Sequence, residues 1–275
     1  MFQRIHLIVP FLMLALFLQP VLSHAEEERG HILKTTGVVK VINAQGDERE
    51  VSGADIVVHE NETISTGEGA QAVIKFNDGA LSVLDEKSGL KVEKKNWLSH
   101  IGGKIYFTFR KVFSGERKVK SKFSTIGIRG TTFIVYDNED GEGVALQEGK
   151  LELESLGDDY EIHRKKPLSD LEAFKQHRDA LQNEFQDYKK KTMEEFIEYK
   201  KNFTLQANYV VRFDGNRGDE TQMGEKEQES FSNFEVIAGE MLKEFRQQAK
   251  EHREQQEKKK LLEMEKEKDF EDFFD

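Results

Sequence analysis

The chain has 275 residues, 34% of them charged and 37% hydrophobic, and a formal net charge of −11. Such acidity argues against nucleic acid and against an anionic membrane surface as partners, since neither attracts a negative protein. Cysteine is absent, which excludes disulfides, thiol catalysis, cysteine-based metal sites and lipoprotein attachment.

The first 25 residues read as an export signal. Arg4 supplies a short positive region, and the apolar stretch from Ile5 to Leu22 is broken by Pro10 and by Gln19-Pro20. Ser23-His24-Ala25 places small residues at the −3 and −1 positions, so a cut after Ala25 is expected, with a retained membrane anchor as the alternative. No later segment is apolar enough to span a membrane. The expected mature protein is therefore periplasmic or otherwise exported, without membrane insertion once the signal is removed.

Residues 26–165 carry the pattern of short strands and glycine-containing turns. Val39 and Val41, then Ala72, Ile74 and Phe76, then Ile105, Phe107 and Phe109 alternate with polar neighbours at period two. Asn77-Asp78-Gly79-Ala80 between two such runs is a hairpin signal. Regular short strands with frequent turns predict an all-β sandwich, roll or solenoid. With no proline between Pro20 and Pro167, lysines 91, 94, 95, 118, 120 and 122 are expected to guard strand edges.

The centre of this region is Phe123 to Val135, two extended runs joined across Gly127 and Gly130. Arg129 between the glycines is expected to lock a bend by capping carbonyls or pairing with a carboxylate, in preference to binding a ligand. Thr125, Arg129, Gly130, Thr131 and Phe133 form a signature that resembles the FecR domain, a periplasmic all-β module. Gly37-Val38-Val39, Ile64-Ser65-Thr66-Gly67, Phe76-Asn77-Asp78-Gly79, Gly102-Gly103-Lys104 and Glu148-Gly149-Lys150 are similar, in order, to the family's other turn-and-strand units. The resemblance covers about residues 30 to 156 and departs from the family where Glu60-Asn61 stand in place of Gly-Asp. It implies a periplasmic all-β fold.

After Pro167 the pattern changes, and residues 166–275 are expected to form a helical extension. Ser169-Asp170-Leu171-Glu172 is a capping box, and Leu171, Phe174, Leu181, Phe185, Tyr188, Phe196, Tyr199 and Phe203 recur at steps of three and four or their multiples. This predicts a helix over about 169–204 with an aromatic stripe, whose distal residues Phe196, Tyr199 and Phe203 are the candidate partner-binding residues. The alternative is that the stripe packs on the second helix around Phe234, Met241 and Phe245. A strand-like piece from Asn208 to Phe213 follows, then a polar loop over 214–230. A second capping box, Ser232-Asn233-Phe234-Glu235, predicts a helix over about 232–268, with Phe231 and Val236 as a hydrophobic staple. The fold class is thus α+β by segment, an all-β domain followed by long helices.

No catalytic constellation emerges. Asp214 to Glu225 loosely matches a calcium loop but has Gly218 where a ligand belongs, so a plain loop is preferred. Arg217-Gly218-Asp219 is too short a motif to carry adhesion. Histidines lack zinc-ligand spacing and serines lack a nucleophile-elbow turn. No metal and no cofactor is expected. The leading expectation is a non-enzymatic exported module that binds an envelope protein or polymer. The alternative is an accessory component of an envelope signalling system, because the FecR family is named for regulators that relay siderophore-receptor occupancy through an inner-membrane span and a cytoplasmic anti-sigma segment. A carbohydrate-active enzyme is the third reading.

Overall fold

The computed structural model describes residues 27–94, 97–109, 117–128, 130–139, 141–165 and 195–248, and part of 250–259. Among these residues nineteen strands, β1 to β19 in chain order, are followed by a helix α1 (Glu225–Ala238) and a second helical stretch, α2, over 240–248. The strands form two stacked sheets. One runs β4 (Ile56–His59), β1 (Glu28–Thr36), β6 (Gln71–Phe76), β7 (Ala80–Leu84), β9 (Trp97–Phe109), β12 (Thr132–Asn138), β13 (Gly141–Glu148), β18 (Tyr209–Asp214), β19 (Arg217–Gln222), β15 (Tyr160–Lys165), β16 (Glu195–Lys200). The other runs β3 (Glu48–Val51), β2 (Val39–Ile42), β5 (Thr63–Thr66), β8 (Gly89–Val92), β9, β10 (Arg117–Lys120), β11 (Ser124–Ile128), β14 (Lys150–Ser155), β17 (Asn202–Gln206). We call them the first and second sheets. Pairing is antiparallel except for β9–β10 and β15–β19.

β9 belongs to both sheets. Its half up to Gly102 pairs with β8 and β10, and its half from Gly103 pairs with β7 and β12. The chain turns the corner at Gly103, whose φ of 78° suits glycine.

Between the sheets lies one continuous apolar core. Its members come from the beginning of the fold (Ile32, Val39, Ile64), from its middle (Phe107, Phe133, Leu153) and from its end (Phe203, Leu205, Phe213). A second cluster covers the outer face of the first sheet, where Phe231, Phe234, Ala238, Leu242 and Phe245 of the helices meet Val73, Leu81, Val83, Tyr106 and Ile134. Phe234 stacks on Tyr106 at 5.8 Å and Phe231 meets it edge-on at 6.2 Å. Central strands such as β7 are consequently buried on both faces, with no polar alternation left. The result is three layers, sheet on sheet on helix.

The all-β region is as expected, and several boundaries after it are not. Residues 195–206 form β16 and β17 where the end of a helix over 169–204 was expected; residues 166–194 of that predicted helix lie outside the described residues. Asn202-Phe203-Thr204-Leu205-Gln206 alternates strictly, and Phe203 and Leu205 enter the core, so period two overrides the longer-range stripe. The polar loop over 214–230 is also replaced: β19 occupies Arg217–Gln222 and α1 begins at Glu225. Asp214 pairs with Arg217 across a tight turn with Gly215 at φ 56°, so the twelve residues form a hairpin and the start of a helix rather than a calcium-type loop. The capping box sits earlier than Ser232. Glu227 accepts the Gly224 amide hydrogen at 2.8 Å, while Ser232 lies inside α1 and donates to Gln228 O. Val236 is 79% exposed and staples nothing. Phe234 and Phe245 pack on the sheet instead of on an aromatic helix. Lys91, Lys118 and Lys120 guard no edge, because β8 and β10 are interior strands of the second sheet.

Candidate functional site

The signature residues can be followed from their strands inward. Thr66 ends β5 pointing into the sandwich, and its hydroxyl donates to Asp85 O at 2.5 Å while accepting the Ser88 amide at 2.9 Å. Ser88 Oγ in turn accepts the Lys104 amide at 2.9 Å. This chain of hydrogen bonds ties β5, the turn before β8, and the corner of β9. It satisfies backbone groups that the bend of β9 removes from a ladder.

Asp78 closes the β6–β7 hairpin. Its carboxylate accepts the Ala80 amide at 3.1 Å, and Gly79 adopts φ 76°. Arg117, at the start of β10 and only 6% exposed, reaches this turn, donating to the Asp78 carbonyl and lying 3.4 Å from its carboxylate. The guanidinium also lies 5.6 Å from the Phe109 ring centroid. Burial lowers its pKa, and the Asp78 carboxylate opposes that shift. A turn of one sheet is thus clamped by an arginine of the other.

Thr125 lies in β11, opposite Lys120 and Glu154. Gly130 takes φ 63°, and Thr131 is buried against the turn at Gly149, where an added β-carbon would stand 2.6 Å from the Thr131 methyl. Phe133 is fully buried and stacks on Phe107 at 5.2 Å. Arg129 lies outside the described residues. Residues 62–152 match the family described as FecR protein. This chain carries a FecR domain.

The FecR domain runs from the turn before β5 into β14, so it forms the middle of both sheets. β1 to β4 flank it on one side, and β15 to β19 with the helices complete it on the other. Comparison with curated proteins gives no match. Two crystal structures, at 2.50 and 1.65 Å resolution, of a "putative anti-sigma factor" from Parabacteroides distasonis ATCC 8503 are similar at 12% identity and a TM-score of 0.40. In each case 62% of this chain and 62% of that chain are covered, so this chain spans less than two thirds of theirs.

The candidate partner-binding residues do not share one surface. Phe203 is 5% exposed, edge-on to Tyr160 at 5.4 Å, and belongs to the core. Tyr199 is 69% exposed on β16, beside Ile197 at 44%. Phe196 pairs through its backbone with Arg164, and its side chain lies outside the described residues. Steps of three and four align these residues on a helix, but two strands and a turn scatter them.

Beyond the FecR domain, the inward face of β15 carries Tyr160 and Ile162 and then Arg164, where the apolar core ends. Arg164 bridges Glu220 on β19 and Glu198 on β16, both at 3.0 Å, and Lys200 reaches Glu198 at 2.6 Å. Hydrogen bonding to Lys200, aided by the Arg164 charge, lowers the Glu198 pKa although partial burial opposes it. The network closes the end of the sandwich beside the edge strands β16 and β17. Each charge is met by an opposite one, which suits a structural closure. Among the described residues no group of three or more histidines and carboxylates is placed to hold a metal ion.

Proposed function

We propose that this protein is an accessory component of a FecR-type envelope signalling system, acting through protein contact and without catalysis. The observation that carries this reading is the FecR match over residues 62–152, embedded in a sandwich whose signature residues tie strands together. The scaffold that these residues hold presents surfaces on the second sheet and along β16, and signalling needs such surfaces rather than a reactive centre. Export by the 1–25 segment forms part of the proposal, since a FecR-type component works on the envelope side. No helix among the described residues is long and apolar enough to cross a membrane.

Transcript profiling after deletion of the coding sequence tests the reading. We expect a narrow set of promoters under one alternative sigma factor to change. A copy carrying residues 1–25 should restore them, and a copy lacking these residues should not. An unchanged transcript profile would leave the domain as a passive binding module.

A further inference from the structure

We infer that β16 is a homodimer interface, pairing antiparallel with β16 of a second copy of this chain about a two-fold axis at Glu198. This rests on the fold alone and does not depend on the signalling reading. β16 ends the first sheet: among the described residues it pairs with β15 and with no other strand. Its free side offers a row of backbone N–H and C=O groups, the template for another strand. The other three edges are blunted. β3 is four residues long and three of them are charged. β4 is as short, and a bulge interrupts its ladder with β1. β17 buries Phe203 and Leu205 and leaves Asn202, Thr204 and Gln206 on its other face. β16, by contrast, has six residues in unbroken register with β15. Its outward face shows Ile197 and Tyr199, two positions apart and 44% and 69% exposed.

The pattern along β16 fits its own reverse. Residues opposite one another in an antiparallel ladder lie on the same face, so a symmetric pair is centred on a residue and not between two. An axis at Glu198 uses positions 196 to 200 in full. It sets Ile197 opposite Tyr199 of the partner subunit, twice, a β-branched residue against an aromatic one. An axis at Ile197 would set Tyr199 against Glu195. An axis at Tyr199 would set Ile197 against Lys201, where the chain has left for the second sheet: the Lys201 carbonyl accepts the Ser155 amide hydrogen at 2.9 Å. On the inner side, the axis at Glu198 brings two carboxylates opposite each other. Each already has two cations, Lys200 at 2.6 Å and Arg164 at 3.0 Å, and Lys200 of the partner subunit becomes its diagonal neighbour. A strand of another protein would have to supply both patterns; a second copy supplies them by symmetry. Two six-residue strands bury less than a standard interface of roughly 1,600 Å². The dimer is accordingly reversible, with a dissociation constant above about 1 μM.

Sedimentation velocity over a range of concentration tests the association, on the full chain and on the chain without residues 1–25. One reversible monomer–dimer equilibrium is expected in both. Tyr199→Lys sets a cation against Ile197 of the partner subunit and should raise the dissociation constant at least tenfold, with the melting temperature in dilute solution unchanged. If that variant melts early, Ile197→Thr, which keeps a β-branched residue, should still weaken the dimer severalfold. The register is read by cross-linking. The chain has no cysteine, so an introduced thiol is the only one present. Opposite residues of a ladder have α-carbons about 4.5–5.5 Å apart, within the reach of a disulfide. Under a mild oxidant, Ile197→Cys mixed with a size-tagged Tyr199→Cys should cross-link faster than either variant alone. A chain that stays monomeric at every concentration would overturn the proposal, as would a dimer that needs residues 1–25. So would a dimer that survives Tyr199→Lys intact, or cross-linking no faster in the mixture than in the separate variants.

Discussion

Gly103 stands so close to Ser88 that a β-carbon added to it would lie 2.2 Å from the Ser88 hydroxyl oxygen and 2.5 Å from its α-carbon. The contact is with backbone as well as side chain, so the neighbour cannot swing aside. Gly103 also has a positive φ of 78°. Gly103→Ala should therefore destabilise the fold by roughly 3 kcal/mol or more, combining backbone strain with overpacking. Urea denaturation measures this, and a loss under about 1 kcal/mol would show that β9 can bend without glycine.

Ser88 supports the corner from the other side. Ser88→Ala removes the acceptor of the partly buried Lys104 amide, and Thr66→Val removes the acceptor of the buried Ser88 amide. Each should cost about 1–3 kcal/mol, the penalty for a buried donor left unsatisfied. Because the two lie in one chain of hydrogen bonds, the double variant should cost less than the sum. Additive losses in thermal melts would mean that the links are independent.

His100 makes the same corner sensitive to acid. It is 4% exposed, and its Nε2–H donates to the Gly103 carbonyl at 3.1 Å, which leaves Nδ1 as the basic nitrogen. Nδ1 has no hydrogen-bond partner in the structure, and burial pushes the pKa down to about 4. In the unfolded chain the imidazole titrates near 6.5. Above that pH neither state is charged and stability is complete. Between 6.5 and 4 the unfolded state binds a proton that the folded state refuses, so stability falls with pH, by roughly 3 kcal/mol at most. His100→Gln should flatten that part of the stability profile relative to the parent. Parallel slopes for the two proteins would refute the assignment.

The sequence made the sandwich legible wherever one face of a strand meets water. Val39 and Val41, Leu151 and Leu153, and the Asp78-Gly79 hairpin were all readable at period two, and the FecR signature lay on the same residues. Three other features were not. β7 and β12 are buried on both faces because α1 covers them, and nothing local in Ala80–Leu84 announces a helix 150 positions away. Glu195–Lys200 places apolar residues at 196, 197 and 199, a spacing that fits a helix as well as a strand, and the antiparallel pairing of β16 with β15 decides between them. The start of α1 was hidden because Gly224 offers no side-chain cap; Glu227 makes the reciprocal bond by itself. In the first two cases a partner distant in the chain determines the local structure; in the third the deciding bond is local but lacks the usual capping side chain.

The clamp between the sheets gives a separate prediction. Arg117→Met keeps the length of the side chain but removes the donor to the Asp78 turn. A partly buried carbonyl and a partly buried carboxylate lose their partner, and the expected cost is about 1–3 kcal/mol. Arg117→Lys should recover only part of this, since one ammonium cannot serve both oxygens and the Phe109 ring. Full recovery in urea melts would make the interaction one of charge alone.

Phe203 and Tyr199 separate the strand structure of 195–206 from the helix that their spacing suggests. On a helix the two aromatics lie one turn apart on one stripe, and replacing either should have similar consequences. In the sandwich they have opposite surroundings: Phe203 is packed against Tyr160 and Phe213, while Tyr199 is 69% exposed. Phe203→Ala should cost about 3–5 kcal/mol through the cavity it leaves among aromatic rings. Tyr199→Ala should change stability by no more than about 0.5 kcal/mol. Differential scanning calorimetry on the two variants reads the contrast directly. Equal losses would return Phe196, Tyr199 and Phe203 to one helical face; a large loss at Phe203 alone places β17 in the core.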